Sequence, residues 1–539
     1  MTASAERRAA GRTGWGGAAR DAARLILGSS IYRYSLSGRR LGPPALTPRR
    51  ATPPNPEAAD SIRGGQFRFF GLSAPLDAGW SPPEFPAEWR AALQGFDWLS
   101  DLMVDADGVA LGRALTADWL ASHASWSEEG WSAGAIGRRL VAWIDGFGRL
   151  TQDAPSAFVD DLLDAIARQS RHLARLGGAE IEGVDRLYGA CGLLWVGAAW
   201  GDEDRQRRGQ RWLSAEIERQ ILPDGAHIDR RPASALDALR ALVDAMAALR
   251  AAGAEIPDSI RHATDRIAPM VRAYRLGDAR FVAFAGGDDP APDRIDAVLD
   301  AAGAMGRPVR QATHAGVQRI EAKSLTVIVN CGLPPAPFDL GAHAAPLAFE
   351  MSVGKRRIVT SCGSPPAAHE AWREVARGAV AHSVLVLDDR NPVETTATGL
   401  GRRPRRIAVR RTEEEGAVWV EAAHDGYQPA FGAIQRRRFY VSADGDDFRG
   451  EEEFEGGVGA PFALRFHLHP DVRARLSQDE RAVWIAPPDG KGWRFAAEGA
   501  HLAVEDGMVC VDRAPRRSLA ITLTGAVAQD GRVRWAFRR

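Results

Sequence analysis

The hydrophobic period of this chain changes once, and that change restricts its fold more than any other feature. From about 115 to 280 the apolar residues recur at helical spacing: Leu236, Leu239, Leu242, Val243, Met246 and Leu249 make one face, and Phe158, Leu162, Ile166 and Leu173 another. Past about 310 the period is two, as in Leu325, Val327 and Val329, in Val418, Val420 and Ala422, in Leu464, Phe466 and Leu468, and in Leu519, Ile521 and Leu523. Turns such as Ala443-Asp444-Gly445 separate these runs, a pattern that indicates an antiparallel sandwich. The chain is expected to be helical first and sheet second, α then β in more than one domain.

With 539 residues the chain is too long for one core. The expected division is 1–65 as an arm and connector, 66–305 as the helical domain and 306–539 as the sandwich. The connector is Pro-rich, from Gly42-Pro43-Pro44 to Pro53-Pro54-Asn55-Pro56, which favours extended chain. Phe67 to Phe70 reads as a small strand, and the Trp-rich passage Trp80 to Trp98 as a packed entry cap. Trp119, Trp126, Trp131, Trp143, Trp195, Trp200 and Trp212 recur through the helices, either as packing core or as flat faces for a sugar ring in a cleft.

Lys plus Arg and Asp plus Glu are both 69, so no overall field favours nucleic acid or an anionic membrane. No apolar run approaches the roughly eighteen residues that a membrane span needs, and no apolar segment with a cleavage site follows the Arg- and Gly-rich start. A cytoplasmic protein is expected by default. The four cysteines, Cys191, Cys331, Cys362 and Cys510, form no C-x-x-C pair and read as buried thiols, with Cys331 and Cys362 as potential neighbours.

The stretch Leu340 to Asp389 holds the strongest functional signal. His343 stands before the alternating run Leu347, Phe349, Met351 and Val353, and His382 before Val384 to Leu387, with a further strand from Ile358 to Cys362 between them. Two histidines at strand starts can converge at one end of a sheet, where distant residues build a metal or general-base site. Arg402-Arg403-Pro404-Arg405-Arg406 with Arg410-Arg411 is the densest basic run. It can grip carboxylates or sulfates, but Glu413-Glu414-Glu415 follows, as in a hairpin of paired surface charges.

Helices followed by a large sandwich, with histidines placed in this way, resemble the heparinase II/III-like polysaccharide lyases. The passages that carry the resemblance are Trp131 to Trp143 around Gly137-Arg138-Arg139-Leu140, Leu222-Pro223-Asp224-Gly225-Ala226-His227, His343 to Phe349, Ala381-His382-Ser383 and Ala423-His424-Asp425-Gly426-Tyr427. The resemblance runs from about Ser30 to the end, and it implies an incomplete (α/α) toroid followed by antiparallel β-sandwich layers. It also implies β-elimination on a uronate-containing acidic polysaccharide, with a periplasmic location as the family's alternative to the cytoplasm. That reaction needs the uronate carboxylate neutralised, a base to take the C5 proton and an acid for the leaving oxygen.

At the family's chemical positions the chain differs. Asp185-Arg186 stands where such lyases place Asn-His, Ser234 where they place Tyr, Gly341 at the first member of their His-x-His pair, and Ser361 at the zinc-binding Asp. His343 and His382 remain as metal candidates, for zinc, with Asp388, His369 or His424 as replacement third ligand. His227, Tyr188 and His382 are the candidates for proton transfer, and Tyr427 is a corner tyrosine or a sugar contact. Two functions compete: a carbon-oxygen lyase, and a glycan-binding protein that keeps the fold without the chemistry. A structural role with the N-terminal arm as partner contact is the third.

Overall fold

The structure, a computed structural model, describes residues 25–38, 40–123, 125–176, 183–286, 290–335, 341–365, 369–397, 399–488 and 490–539. The first 24 residues of the arm and Leu340 lie outside the described residues. The chain forms two compact units: one from 1–221, 237–264 and 297–303, the other from 222–236, 265–296 and 304–539.

The first unit is built on helices Ala106–His123, Ala133–Thr151, Ser156–Leu176, Val184–Trp200 and Glu203–Gln220. Their ends follow ordinary capping chemistry. The Ser132 hydroxyl accepts from the Ala135 amide, the Asp202 carboxylate from the Arg205 amide, and Gly201, at φ 64°, ends Val184–Trp200 in the left-handed region. Val184–Trp200 is apolar all round and buried from Arg186 to Ala199, as a central helix must be. It crosses Ala133–Thr151 on glycines, since a Cβ at Gly192 would stand 2.6 Å from the Gly137 Cα. Gly192→Ala is therefore expected to push the two helices apart and to cost about 1–3 kcal/mol. An unchanged urea midpoint in that variant would show that the crossing tolerates a methyl group.

Trp119, Trp143 and Trp195 are fully buried, and Trp80, Phe96 and Trp98 pack with Trp119 and Trp143 in one aromatic cluster. These tryptophans are core. The Pro-rich segment has no regular structure from 40 to 55, but it is anchored. The Ala45 amide donates to the Ala199 carbonyl at 2.8 Å, and Arg50 ion-pairs with Asp97 at 2.6 Å.

Among the described residues the second unit holds two large antiparallel sheets and a two-stranded one, Thr395–Thr396 with Gly399–Leu400. One large sheet runs, in spatial order, Ile407–Glu414, Ala417–His424, Ile434–Val441, Asp447–Glu455, Arg532–Arg538, Trp493–Glu498, Ala482–Ala486 and Arg473–Leu476. The other runs His501–Val511, Ala514–Ala526, Pro461–Leu468, Arg356–Thr360, Phe349–Val353, Leu325–Asn330, Val317–Ala322 and Gln311–Ala312, with Leu385–Leu387 also paired to Pro461–Leu468. Their inward residues share one core. The Phe349 ring of one sheet lies 5.8 Å from Phe439 and 5.4 Å from Trp535 of the other.

The eight-stranded sheet carries a charge ladder across its pleat. Arg410, Glu421, Arg438, Glu451, Arg534 and Glu498 stand opposite one another on six successive strands, alternating in sign. Arg438 lies 3.0 Å from Glu421 and 2.5 Å from Glu451, and Arg534 lies 2.8 Å from Glu451. Cross-strand pairing of this kind neutralises the row. The basic run before it is likewise engaged, with Arg402 donating to the Gly426 carbonyl, Arg403 to Pro334, and Arg411 paired with Glu413.

Candidate functional site

His343 and His382 do converge. His343 lies just upstream of strand Phe349–Val353, and His382 closes the short 3-10 turn Ala379–Ala381 ahead of Leu385–Leu387. Ser383 ties the two segments together, its hydroxyl accepting from the Phe349 amide at 2.8 Å and donating to the Phe349 carbonyl at 2.5 Å. The imidazole centroids are 5.1 Å apart, tilted by 51°.

The pair is buried. His343 is 9% exposed and His382 not at all. Burial, aided by the charges of Arg377 and Arg231, pushes the His343 imidazole down to about 3. Burial and then the neighbouring imidazoles of His343 and His467 push His382 well below the usual histidine range. A third imidazole, His467, thus stands beside the pair, with its Nε2 against the Val380 carbonyl at 2.8 Å. His467 stands between the core residues Phe466 and Leu468 of its strand, and nothing in that alternation singles it out in the sequence.

Among the described residues no three His, Cys, Asp or Glu side chains gather in a metal-holding arrangement. The proposed third ligands do not join the pair. His369 is the exposed residue that precedes helix Glu370–Arg377, and Asp388 lies in an exposed turn at φ 46°. His424 is buried elsewhere in the sheet, its Nδ1 accepting from the Gly426 amide at 3.2 Å. Ser361 is fully buried and adds no charge where a ligand carboxylate would stand. Among the described residues two cation-repelling arginines and no carboxylate stand beside the pair, a set that does not fit zinc.

The proton-transfer candidates are also enclosed. His227 is 1% exposed, and its Nδ1 lies 2.8 Å from the Asp229 Oδ1. Burial alone would raise the Asp229 carboxyl, but His227, Arg231 and the Ser234 hydroxyl, which donates to it at 2.6 Å, hold it well below the carboxylate range. Ser234, at the family's Tyr position, therefore serves a local clamp. In the first unit Tyr188 is 1% exposed, lies under the Arg138 guanidinium at 3.8 Å, and reaches Asp237 only at 3.4 Å. Burial raises its phenol far above the ordinary value, with Asp237 adding to the effect. Arg138 is itself paired with Asp185 at 2.8 Å, so at the position of the family's Asn-His pair the Asp185 carboxylate is engaged by a neighbouring helix.

Two further expectations resolve. Tyr427 is a corner tyrosine, buried, its hydroxyl donating to the Leu385 carbonyl at 2.7 Å. Cys362 has Cys510 as a neighbour. The Cys510 amide donates to the Cys362 carbonyl at 2.8 Å, and burial and then the Cys510 sulfur push the Cys362 thiol up to about 12.

Comparison with known proteins agrees with this architecture. Residues 304–536 match the family described as Heparinase II/III-like, C-terminal. Heparinase III superposes with a TM-score of 0.72 at 15% identity, over 94% of this chain and 88% of its own. The heparan sulfate lyase of Pedobacter heparinus superposes with a TM-score of 0.60 at 18% identity, over 96% of this chain and 88% of its own. At such identities these likenesses show the fold, an (α/α) toroid with β-sandwich layers. Over nearly full length the chain is also 28% identical to FtsZ-localized protein C of Caulobacter vibrioides, across 95% of this chain and 93% of that protein. No helix among the described residues is long and apolar enough to cross a membrane. Residues 304–536 thus match the Heparinase II/III-like C-terminal family, and the chain as a whole has the fold of heparinase III.

Proposed function

We propose that this chain is a binding protein on the lyase fold, one that holds an acidic, uronate-containing polysaccharide without cleaving it. The observation that carries this reading is the enclosure of Tyr188, His227 and His382, each exposed by 1% or less. A base for β-elimination has to touch the C5 hydrogen of a bound sugar, within hydrogen-bonding reach of the ring. None of these groups presents a surface to do so. Kinship to lyases of heparan sulfate supports the ligand class.

The test incubates purified protein with heparan sulfate, chondroitin sulfate and alginate, following both binding by co-sedimentation and the ultraviolet absorbance of an unsaturated uronate. Binding with a flat absorbance trace is the expected result. An absorbance rise abolished by Tyr188→Phe or His227→Ala would overturn the reading and restore the lyase.

The likeness to FtsZ-localized protein C supports a second reading, in which the fold is a partner-binding body that localises with FtsZ. A cytoplasmic location belongs to that reading. A fluorescent fusion that spreads evenly through cells whose FtsZ is assembled would exclude it.

A further inference from the structure

The outward face of the eight-stranded sheet carries a second row besides the charge ladder. Arg475, Trp484, Arg494 and Arg538 stand directly opposite one another on the four strands from Arg473–Leu476 to Arg532–Arg538. All four side chains are exposed, Trp484 by 57%. Their neighbours along the strands, Val483, Ile485, Phe495 and Phe537, lie in the core. Successive side chains of a strand point to opposite sides, so the row faces outward as a unit.

The two rows differ in how their charges are met. In the ladder every cation faces a carboxylate on the next strand. Here Arg494 stands against Arg538 on one side and Trp484 on the other. Like charges directly opposite destabilise a sheet, so pairing within the sheet does not account for this row. Asp447, at the next position across the sheet, is held by Arg449 at 2.8 and 2.9 Å and meets Arg538 only at 3.4 Å. Neither Arg475 nor Arg494 is engaged in an ion pair among the described residues.

Spacing adds a second constraint. Trp484 is flanked by two arginines whose strands lie about 10 Å apart, one strand to either side of its own. A sugar ring laid on the indole therefore has a cation within reach on both sides. A uronate polymer matches that order, with an apolar ring face for the indole and carboxylates for the guanidinium forks.

We infer that this row is where the chain holds its polyuronate: Trp484 stacks on a sugar ring, and Arg475 and Arg494 grip the carboxylates beside it. The inference rests on the polysaccharide-binding reading above and deepens it, placing the contact on an exposed sheet face and not at the enclosed Tyr188, His227 and His382. Such a platform also accounts for binding without cleavage, because an indole and guanidinium groups supply no base for the C5 proton.

The test measures binding of the full chain to immobilised alginate, heparan sulfate and chondroitin sulfate. The parent is compared with Trp484→Ala, with Arg475→Gln/Arg494→Gln and with a control of equal charge loss, Arg436→Gln/Arg532→Gln, taken from cations that face Glu421, Glu453 and Glu455. Circular dichroism checks that each variant is folded. Saturable binding of at least one polymer by the parent is expected, weakened about ten-fold or more in both row variants and less than about two-fold in the control. Binding untouched in the row variants, or weakened equally in the control, overturns the platform and leaves the polysaccharide reading standing. A parent that binds none of the three polymers overturns both. Polythymidylate held more tightly than any of them overturns the ligand class in favour of single-stranded nucleic acid.

Discussion

Arg437→Met is expected to lower the stability of the sandwich unit by about 3–5 kcal/mol, the penalty for leaving one member of a buried ion pair without its partner. Arg437 and Glu452 are both fully buried, joined at 2.5 Å and directly opposite on neighbouring strands. The same guanidinium donates to the Leu347 carbonyl at 2.7 Å and to the Ser383 carbonyl at 2.6 Å. Glu452 also accepts from Gln435 at 3.0 Å and from the Trp535 indole at 3.3 Å. This brace therefore fixes the two segments that bring His343 and His382 together. The double variant Arg437→Met/Glu452→Leu removes both charges and is expected to recover the part of the loss due to the unpaired carboxylate, while the Leu347 and Ser383 carbonyls and the Trp535 indole stay without their partners. Thermal unfolding followed by near-ultraviolet circular dichroism reads both. A single variant within about 1 kcal/mol of the parent, or a double variant as unstable as the single, would show that the brace is not what holds the strands.

That brace also marks where the sequence stops being informative. Gln435-Arg436-Arg437-Arg438 is a polar run inside the strand Ile434–Val441, and Arg438 faces the charge ladder. Yet Phe439 and Val441 set the inward phase of the strand, and the same phase turns Gln435 and Arg437 into the core. The signal was present in the alternation, but a partner for Arg437 exists only once register places Glu452 opposite. The fold was legible for the same reason: a change of period from helix to strand is local, and burial on one face enforces it. Convergence of His343 and His382 was legible because both precede strand runs. Their depth was not, because exposure depends on what the other strands and turns lay over them. Tyr188 shows the limit most clearly. On a helix buried all round, no face is distinguished as the one that meets solvent.

The buried histidines set the response of the protein to acid. His172 is pushed down to about 4, His343 to about 3 and His424 to about 4, in each case first by burial, and His382 also falls well below its ordinary value. All four are bases that stay neutral in the fold but gain a proton near pH 6.5 when the chain unfolds. Between that value and about pH 4 the unfolded chain binds more protons than the native one, so stability falls as pH falls. Each such histidine adds a slope of up to about 1.4 kcal/mol per pH unit, and the three in the second unit, His343, His382 and His424, together reach roughly 4. That slope is comparable to the whole stability of a typical domain, of about 5–15 kcal/mol. The native structure is thus expected to fail within about two pH units below neutrality. His343→Leu/His382→Leu is expected to flatten the profile by about two protons, as read from denaturant midpoints at a series of pH values. The same experiment with a chelator separates the pair from a metal site. If zinc bridged His343 and His382 the chelator would lower stability at neutral pH, whereas a dry pair of neutral imidazoles gives coincident curves with and without it.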